Sequence, residues 1–113
     1  MQTPRLCGQP NRPLRVASTR RARDAWIEIH GELDIATLTQ LRDALSGIDL
    51  ADVDAIFVDL RQLTFCDVTG SKLLLQFECQ AQTSGHATTF VGAGPTTRKV
   101  LTLVATGRKP SFA

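Results

Sequence analysis

The interior of DAIFVDLR, residues 54–61, is apolar at every position except Asp59. A strand wetted on one side alternates polar with apolar, so a run without alternation reads as a strand covered on both faces, as in parallel sheets with helical crossovers. A chain organised around such a strand needs helices before and after it, and both are legible. Between residues 36 and 48, Leu38, Leu41, Leu45 and Ile48 fall on one helical face. In TGSKLLLQFECQAQT, residues 69–83, Leu74, Phe77 and Ala81 do the same, Leu73 widens the stripe, and Gly85 ends it.

The flanks extend the alternation. AWIEIHGE, residues 25–32, sets Ile27 and Ile29 against Trp26, Glu28 and His30, and LRVAST, residues 14–19, is a weaker strand able to pair with it as a hairpin. ATTFVGA, residues 87–93, is a further strand. Gly94 and Pro95 then open a helix carrying Val100, Leu101 and Val104. The order is ββαβαβα, an α/β fold with a small, mostly parallel sheet and helical crossovers. Residues 1–13, MQTPRLCGQPNRP, combine three Pro with little that could pack, and are expected to be a disordered basic arm before a domain spanning 14–113.

Charge is divided along the chain. Residues 1–23 hold six Arg and no acid, residues 24–94 hold eleven acids against three bases, and residues 95–113 hold four bases. A nucleic-acid surface would concentrate bases on the folded body among aromatics, whereas this body is acidic and lacks Tyr. No apolar stretch approaches the ~20 residues of a membrane-spanning helix, and no apolar segment follows the N-terminal arginines as in a secretory signal, so the chain reads as cytoplasmic. Cys7, Cys66 and Cys79 lack metal-ligand spacing. Cys66 precedes the second helix and Cys79 lies several turns into it, beyond the ~7 Å reach of a disulfide. With Cys66 just before a helix, a redox sensor is a minor reading.

FCDVTGSKLL, residues 65–74, places an acid, a hydroxyl and a glycine within four positions at the start of the second helix. Thr69 is the first good N-cap there, its hydroxyl expected to accept a first-turn N–H worth ~1 kcal/mol. The same hydroxyl lies at the carboxyl end of a parallel strand, where open α/β sheets bind partners and where a phosphate would meet the positive end of the helix dipole. Asp34 of GELD reads as a turn or cap acid. An enzyme would need Cys66 or Thr69 as nucleophile with His30 or His86 as base, and nothing in the sequence joins them. No GxxxxGK[ST], HExxH or CxxC is present, so no cofactor or metal site is expected. A phospho-receiver is the other small βα fold with an acid after a central strand. It requires an acid pair after its first strand and a late-strand Lys, where this chain has GELD and FVGAGP.

GELDIATLTQLRDAL, IFVDLRQLTFCDVTG and TTFVGAGPTTRKVLTLVATG, in that order and spacing, resemble the anti-sigma factor antagonists, the bacterial branch of the sulphate-transporter and anti-sigma antagonist (STAS) domains. The resemblance covers roughly residues 25–107. It implies a non-catalytic protein that binds an anti-sigma factor with serine/threonine kinase activity, releases a sigma factor, and is switched off by phosphorylation. In that family an Asp-Ser-Ser-Gly or Asp-Ser-Thr-Gly segment opens the second helix and its second hydroxyl residue is the acceptor. Asp67, Thr69 and Gly70 fall on those positions, which makes Thr69 the implied acceptor and Asp34, Asp67, Val68, Thr69, Gly70, Ser71 and Lys72 the implied partner surface. Val68 replaces the first hydroxyl residue, and Lys72 stands where a small residue is usual. A STAS scaffold module without sigma-factor control is the alternative.

Overall fold

The computed structural model describes residues 14–113, so the basic arm expected over residues 1–13 lies outside the described residues. Strand β1, Arg15–Arg21, turns back through two residues into β2, Asp24–Leu33, and the two pair antiparallel from Arg15 opposite His30 to Arg21 opposite Asp24. Helix α1, Leu38–Ser46, carries the chain to β3, Ala55–Asp59, which lies parallel to β2. A short β4, Leu63–Cys66, precedes α2, Val68–Thr83. Strand β5, Ala87–Val91, is parallel to β3, and α3, Pro95–Val104, follows it. The main sheet runs β1-β2-β3-β5, with β4 paired to β2 alone. Outside β5 the C-terminal residues continue the pairing, Phe90 N–H donating to the Ser111 carbonyl and Ala113 N–H to the Phe90 carbonyl, each at 2.8 Å.

Two features depart from the sequence-based order. Strand β4 is additional: LTFC is too short for periodicity to mark, and it becomes a strand because β2 overhangs β3. Beyond Glu28, which is the last β2 residue paired to β3, Gly31 faces Leu63 and Leu33 faces Cys66 in a parallel ladder with a register shift after Gly31. Among the described residues, helices also cover one face of the sheet where two were expected. Ile27, Ile29, Ile56, Val58 and Phe90 are wholly buried in one cluster with Leu41, Leu45, Leu74 and Leu101 from the helices. Each such side chain contributes about 1.5–3 kcal/mol by leaving water. On the other face Trp26, Glu28, His30 and Phe57 are half-buried.

That second face explains the lone acid of the central strand. Asp59 is buried, yet its carboxylate is bound by the Arg61 guanidinium at 2.6 Å, by the Arg61 backbone N–H at 3.0 Å and by Trp26 Nε1–H at 3.2 Å. Trp26 in turn stacks obliquely on Phe57, ring centroids 5.3 Å apart. Burial alone would favour the neutral acid, but the Arg61 side chain dominates and, with the N–H donors, holds the carboxyl below the usual range. The folded state therefore binds this proton less readily than the unfolded chain. Its contribution to stability is complete above the unfolded pKa of about 3.9 and is lost as pH falls through the lower folded value. Urea unfolding at a series of pH values should show wild type more stable than Asp59→Asn near neutrality, the gap closing below about pH 4.

Candidate functional site

The site is assembled where β2 and β4 end together. The Leu33 carbonyl accepts the Asp67 N–H at 3.1 Å, which ties the loop after β2 to the loop before α2. On the β2 side, Asp34 folds the turn into α1: its Oδ1 accepts the N–H groups of Ala36 and Thr37 at 2.9 and 3.2 Å. Thr37 closes the turn by donating its hydroxyl to the Glu32 carbonyl at 2.8 Å. Asp34 is thus a turn acid, one residue along the chain from the carbonyl that anchors Asp67.

On the α2 side the cap is Asp67. It has an extended backbone, φ −87° and ψ −176°, and its Oδ1 accepts the Gly70 N–H at 2.8 Å. Thr69 was the expected cap, and the structure corrects this: Val68 is already helical, so Thr69 lies inside the first turn and donates its hydroxyl to the same Asp67 oxygen at 2.7 Å. The capping geometry needs an acceptor three residues before the satisfied N–H, which Asp67 supplies. One carboxylate oxygen therefore holds the helix end and accepts the hydroxyl of Thr69, a half-buried residue.

Gly70 and Ser71 lie beneath this surface. A Cβ on Gly70 would come within 2.5 Å of Leu33 Cγ and 3.1 Å of the Leu33 carbonyl oxygen, so glycine is required by close approach of α2 to β2 rather than by its dihedral angles. Ser71 is wholly buried, with its hydroxyl 3.3 Å from the Cys66 sulfur. These two residues shape the loop and offer no side-chain surface to a partner. Burial pushes the Cys66 thiol up, with Asp67 adding to the effect and the Ser71 contact opposing it, so the sulfur is a neutral, packed thiol at neutral pH. That removes the basis of the redox reading. Cys66 and Cys79 are both free.

Val68 and Lys72 are exposed, and at a spacing of four they share a helix face; Lys72 is also three residues beyond Thr69. Two neighbours were missed from sequence. Ile35, next to Asp34, is 74% exposed, and Phe65, opposite Glu32 in the β2–β4 ladder, is 50% exposed like Val68. With Val68 they rim the Thr69 loop with apolar surface. The signal was present in the apolar Phe65 of LTFC, but which side of β4 faces water follows only from its pairing. His30 and His86 are elsewhere: His30 bonds Glu28 at 3.0 Å on the open sheet face, and His86 bonds the Val53 carbonyl at 2.7 Å. Neither joins Thr69 or Cys66. Among the described residues no group of three His, Cys, Asp or Glu side chains is placed to hold a metal ion, and no helix is long and apolar enough to cross a membrane.

A small, mostly parallel sheet with helices packed on it, the second helix opening where β2 and β4 end, defines the class of STAS-like α/β folds. A family model described as the Mlab STAS domain matches residues 16–108, and the chain belongs to the STAS-domain family. Among solved structures it resembles the anti-sigma factor antagonist SpoIIAA in two states. Its unphosphorylated form is 23% identical, with TM-score 0.66 over 88% of this chain and 86% of that one. Its phosphorylated form from Bacillus is 25% identical, with TM-score 0.62 over 88% and 90%. An anti-sigma factor antagonist from Mycobacterium paratuberculosis is 20% identical, with TM-score 0.71 over 82% and 79%. The murine anion transporter Slc26a9 is 17% identical, with TM-score 0.64 over 75% of this chain and 14% of that one. No curated protein matches the chain.

The division of labour within the loop has measurable consequences. Asp67→Ala should destabilise the fold by about 1–2 kcal/mol through the lost cap, whereas Thr69→Ala should stay within about 0.5 kcal/mol of wild type in chemical denaturation. Gly70→Ala should lose about 1–3 kcal/mol in the same assay, although alanine is intrinsically the better helix former, because Leu33 must be displaced.

Proposed function

We propose that the chain is an anti-sigma factor antagonist, which binds an anti-sigma factor with serine/threonine kinase activity in the bacterial cytoplasm, releases the sigma factor that partner holds, and is switched by phosphorylation at Thr69. The observation that carries this reading is the contrast between two hydroxyl residues of one helical turn: Thr69 is only partly buried and held at 2.7 Å by Asp67, while Ser71 is wholly buried. The docking surface consists of Asp34, Asp67, Thr69 and Lys72 with the apolar rim of Ile35, Phe65 and Val68. Support comes from the phosphorylated and unphosphorylated forms of SpoIIAA, which share this fold.

In the modification step Thr69 Oγ attacks the γ-phosphorus of ATP bound by the partner. The bond from that phosphorus to its bridging oxygen breaks, ADP leaves, and the hydroxyl proton passes to the Asp67 carboxylate that already accepts its hydrogen bond, which then releases it to water. The product carries roughly two negative charges beside Asp67. In the free protein the helix dipole returns about 0.5–1 kcal/mol and Lys72 lies within a turn, so the fold persists. At a desolvated contact the phosphate has to be stripped of water next to a like charge, which costs several kcal/mol.

A second reading, a STAS scaffold within a larger assembly and without sigma-factor control, is favoured by one feature. Val68 puts an exposed apolar side chain beside the acceptor, where the resemblance has a hydroxyl residue. In that case the apolar rim holds a constitutive contact and Thr69 only braces Asp67. Incubation with the cognate anti-sigma kinase and ATP, followed by mass-spectrometric mapping, distinguishes the two. Thr69 should be labelled. Thr69→Ala should bind the kinase as wild type does and resist inactivation, and Thr69→Glu should fold normally yet bind about 100-fold more weakly, each factor of ten being about 1.4 kcal/mol. Absence of both kinase binding and label at Thr69 would select the scaffold.

A further inference from the structure

Helices α1 and α2 and the segment after α1 enclose a cleft of about 470 Å³ that takes no part in the Thr69 site. Its floor is apolar: Leu45 and Ala81 are buried and Ile48 and Phe77 half-buried. Its rim is polar. Gln76, Gln80 and Ser84 follow one another at a spacing of four along α2, which aligns them on one flank, and Arg42 projects from α1. The volume is in the range of sites that take one small molecule, about 300–1,000 Å³.

The electrostatics of the cleft run against the rest of the body. Residues 24–94 hold eleven acids and three bases, yet no acid lines the cleft, and one of those three bases, Arg42, does. Among the described residues no carboxylate lies within ion-pair distance of Arg42, whereas Arg61 is committed to Asp59. At the far margin His86 is fixed by the Val53 carbonyl at 2.7 Å, and the neighbouring Asp54, which does not line the cleft, is neutralised by Arg23 in a two-point pair at 2.7 and 3.2 Å. An apolar floor with neutral donors and one uncompensated cation at the rim is complementary to a ligand with an apolar body and a single negative charge.

We propose that this cleft is a binding site for a small amphipathic organic anion, a monocarboxylate with a short aliphatic or aromatic body. The apolar part lies on Leu45, Ile48, Phe77 and Ala81, and the carboxylate meets Arg42 with amide donors from Gln76 or Gln80. The site is independent of the Thr69 reading, since none of these residues belongs to the loop around Asp67.

Titration of the full-length chain with octanoate, octanol and octylamine, followed by amide chemical shifts, tests this. Shifts should concentrate in residues 42–50 and 73–86, with octanoate binding tightest. Arg42→Gln should weaken octanoate about tenfold, the scale of one charge-assisted contact, and leave octanol unchanged. Gln80→Trp, at an exposed helical position that tolerates a large side chain, should weaken all three by filling the cleft. Octylamine binding as well as octanoate, absence of octanoate binding, or an unaltered titration in Gln80→Trp would each overturn the proposal. So would concentration-dependent shifts at the same residues without ligand, which would identify a second copy of the chain as the occupant.

Discussion

Strand β2 is longer than its neighbour β3, and the three residues of overhang from Gly31 to Leu33 hold most of what surrounds Thr69. They provide the ladder for β4, the carbonyl that accepts the Asp67 N–H, and the side chain against which α2 makes its close approach at Gly70. Because Gly70 lacks a Cβ, the first turn of α2 sits directly on Leu33. Its orientation is then fixed by packing as well as by the cap. A hydroxyl in that turn is held by two elements that belong to the core, not by a free loop.

Electrostatic pairing follows a consistent pattern. Acids that are buried are matched: Asp59 by Arg61 and Trp26, and Glu78, almost fully buried in α2, by Arg108 at 3.1 Å with Gln82 at 3.3 Å. The Glu78 pair joins α2 to the segment after α3, and Phe112 beyond it packs on Phe90 with the Arg98 guanidinium 4.6 Å above its ring. Buried ion pairs of this kind add little net stability against apolar substitutes, but losing one partner is costly because the other stays buried and unmatched. The Glu78–Arg108 pair therefore helps fix where the C-terminal segment docks. Asp67, half-buried, has no cation partner of this kind among the described residues, its Oδ1 being shared between a helix cap and the Thr69 hydroxyl.

Side-chain periodicity carried the order of strands and helices because burial in this fold is one-sided for each element. Ile27 and Ile29 alternate with Trp26, Glu28 and His30 as a half-buried strand should, and Leu41 and Leu45 mark the inner face of α1. Asp67, Thr69 and Gly70 were also legible as a cluster, through the chemistry of helix starts and through the family resemblance. The cap was assigned two residues late, since Asp and Thr are both good caps and the choice depends on where the first helical dihedral occurs.

By itself, then, the sequence determined the alternation of elements and the cluster of an acid, a hydroxyl and a glycine between Asp67 and Gly70, which rest on interactions between near neighbours, and it marked residues 55–59 as an interior strand by their apolar run. Only the tertiary structure decided that β4 exists, that helices cover a single face of the sheet, that Ser71 is buried while Thr69 is not, and that Ile35, Phe65 and Val68 border the same loop. Each of these depends on contacts between residues distant along the chain. A four-residue strand has no periodicity of its own, and two hydroxyls two positions apart on a helix point in directions about 200° apart, so what lies beneath the helix settles which one meets water.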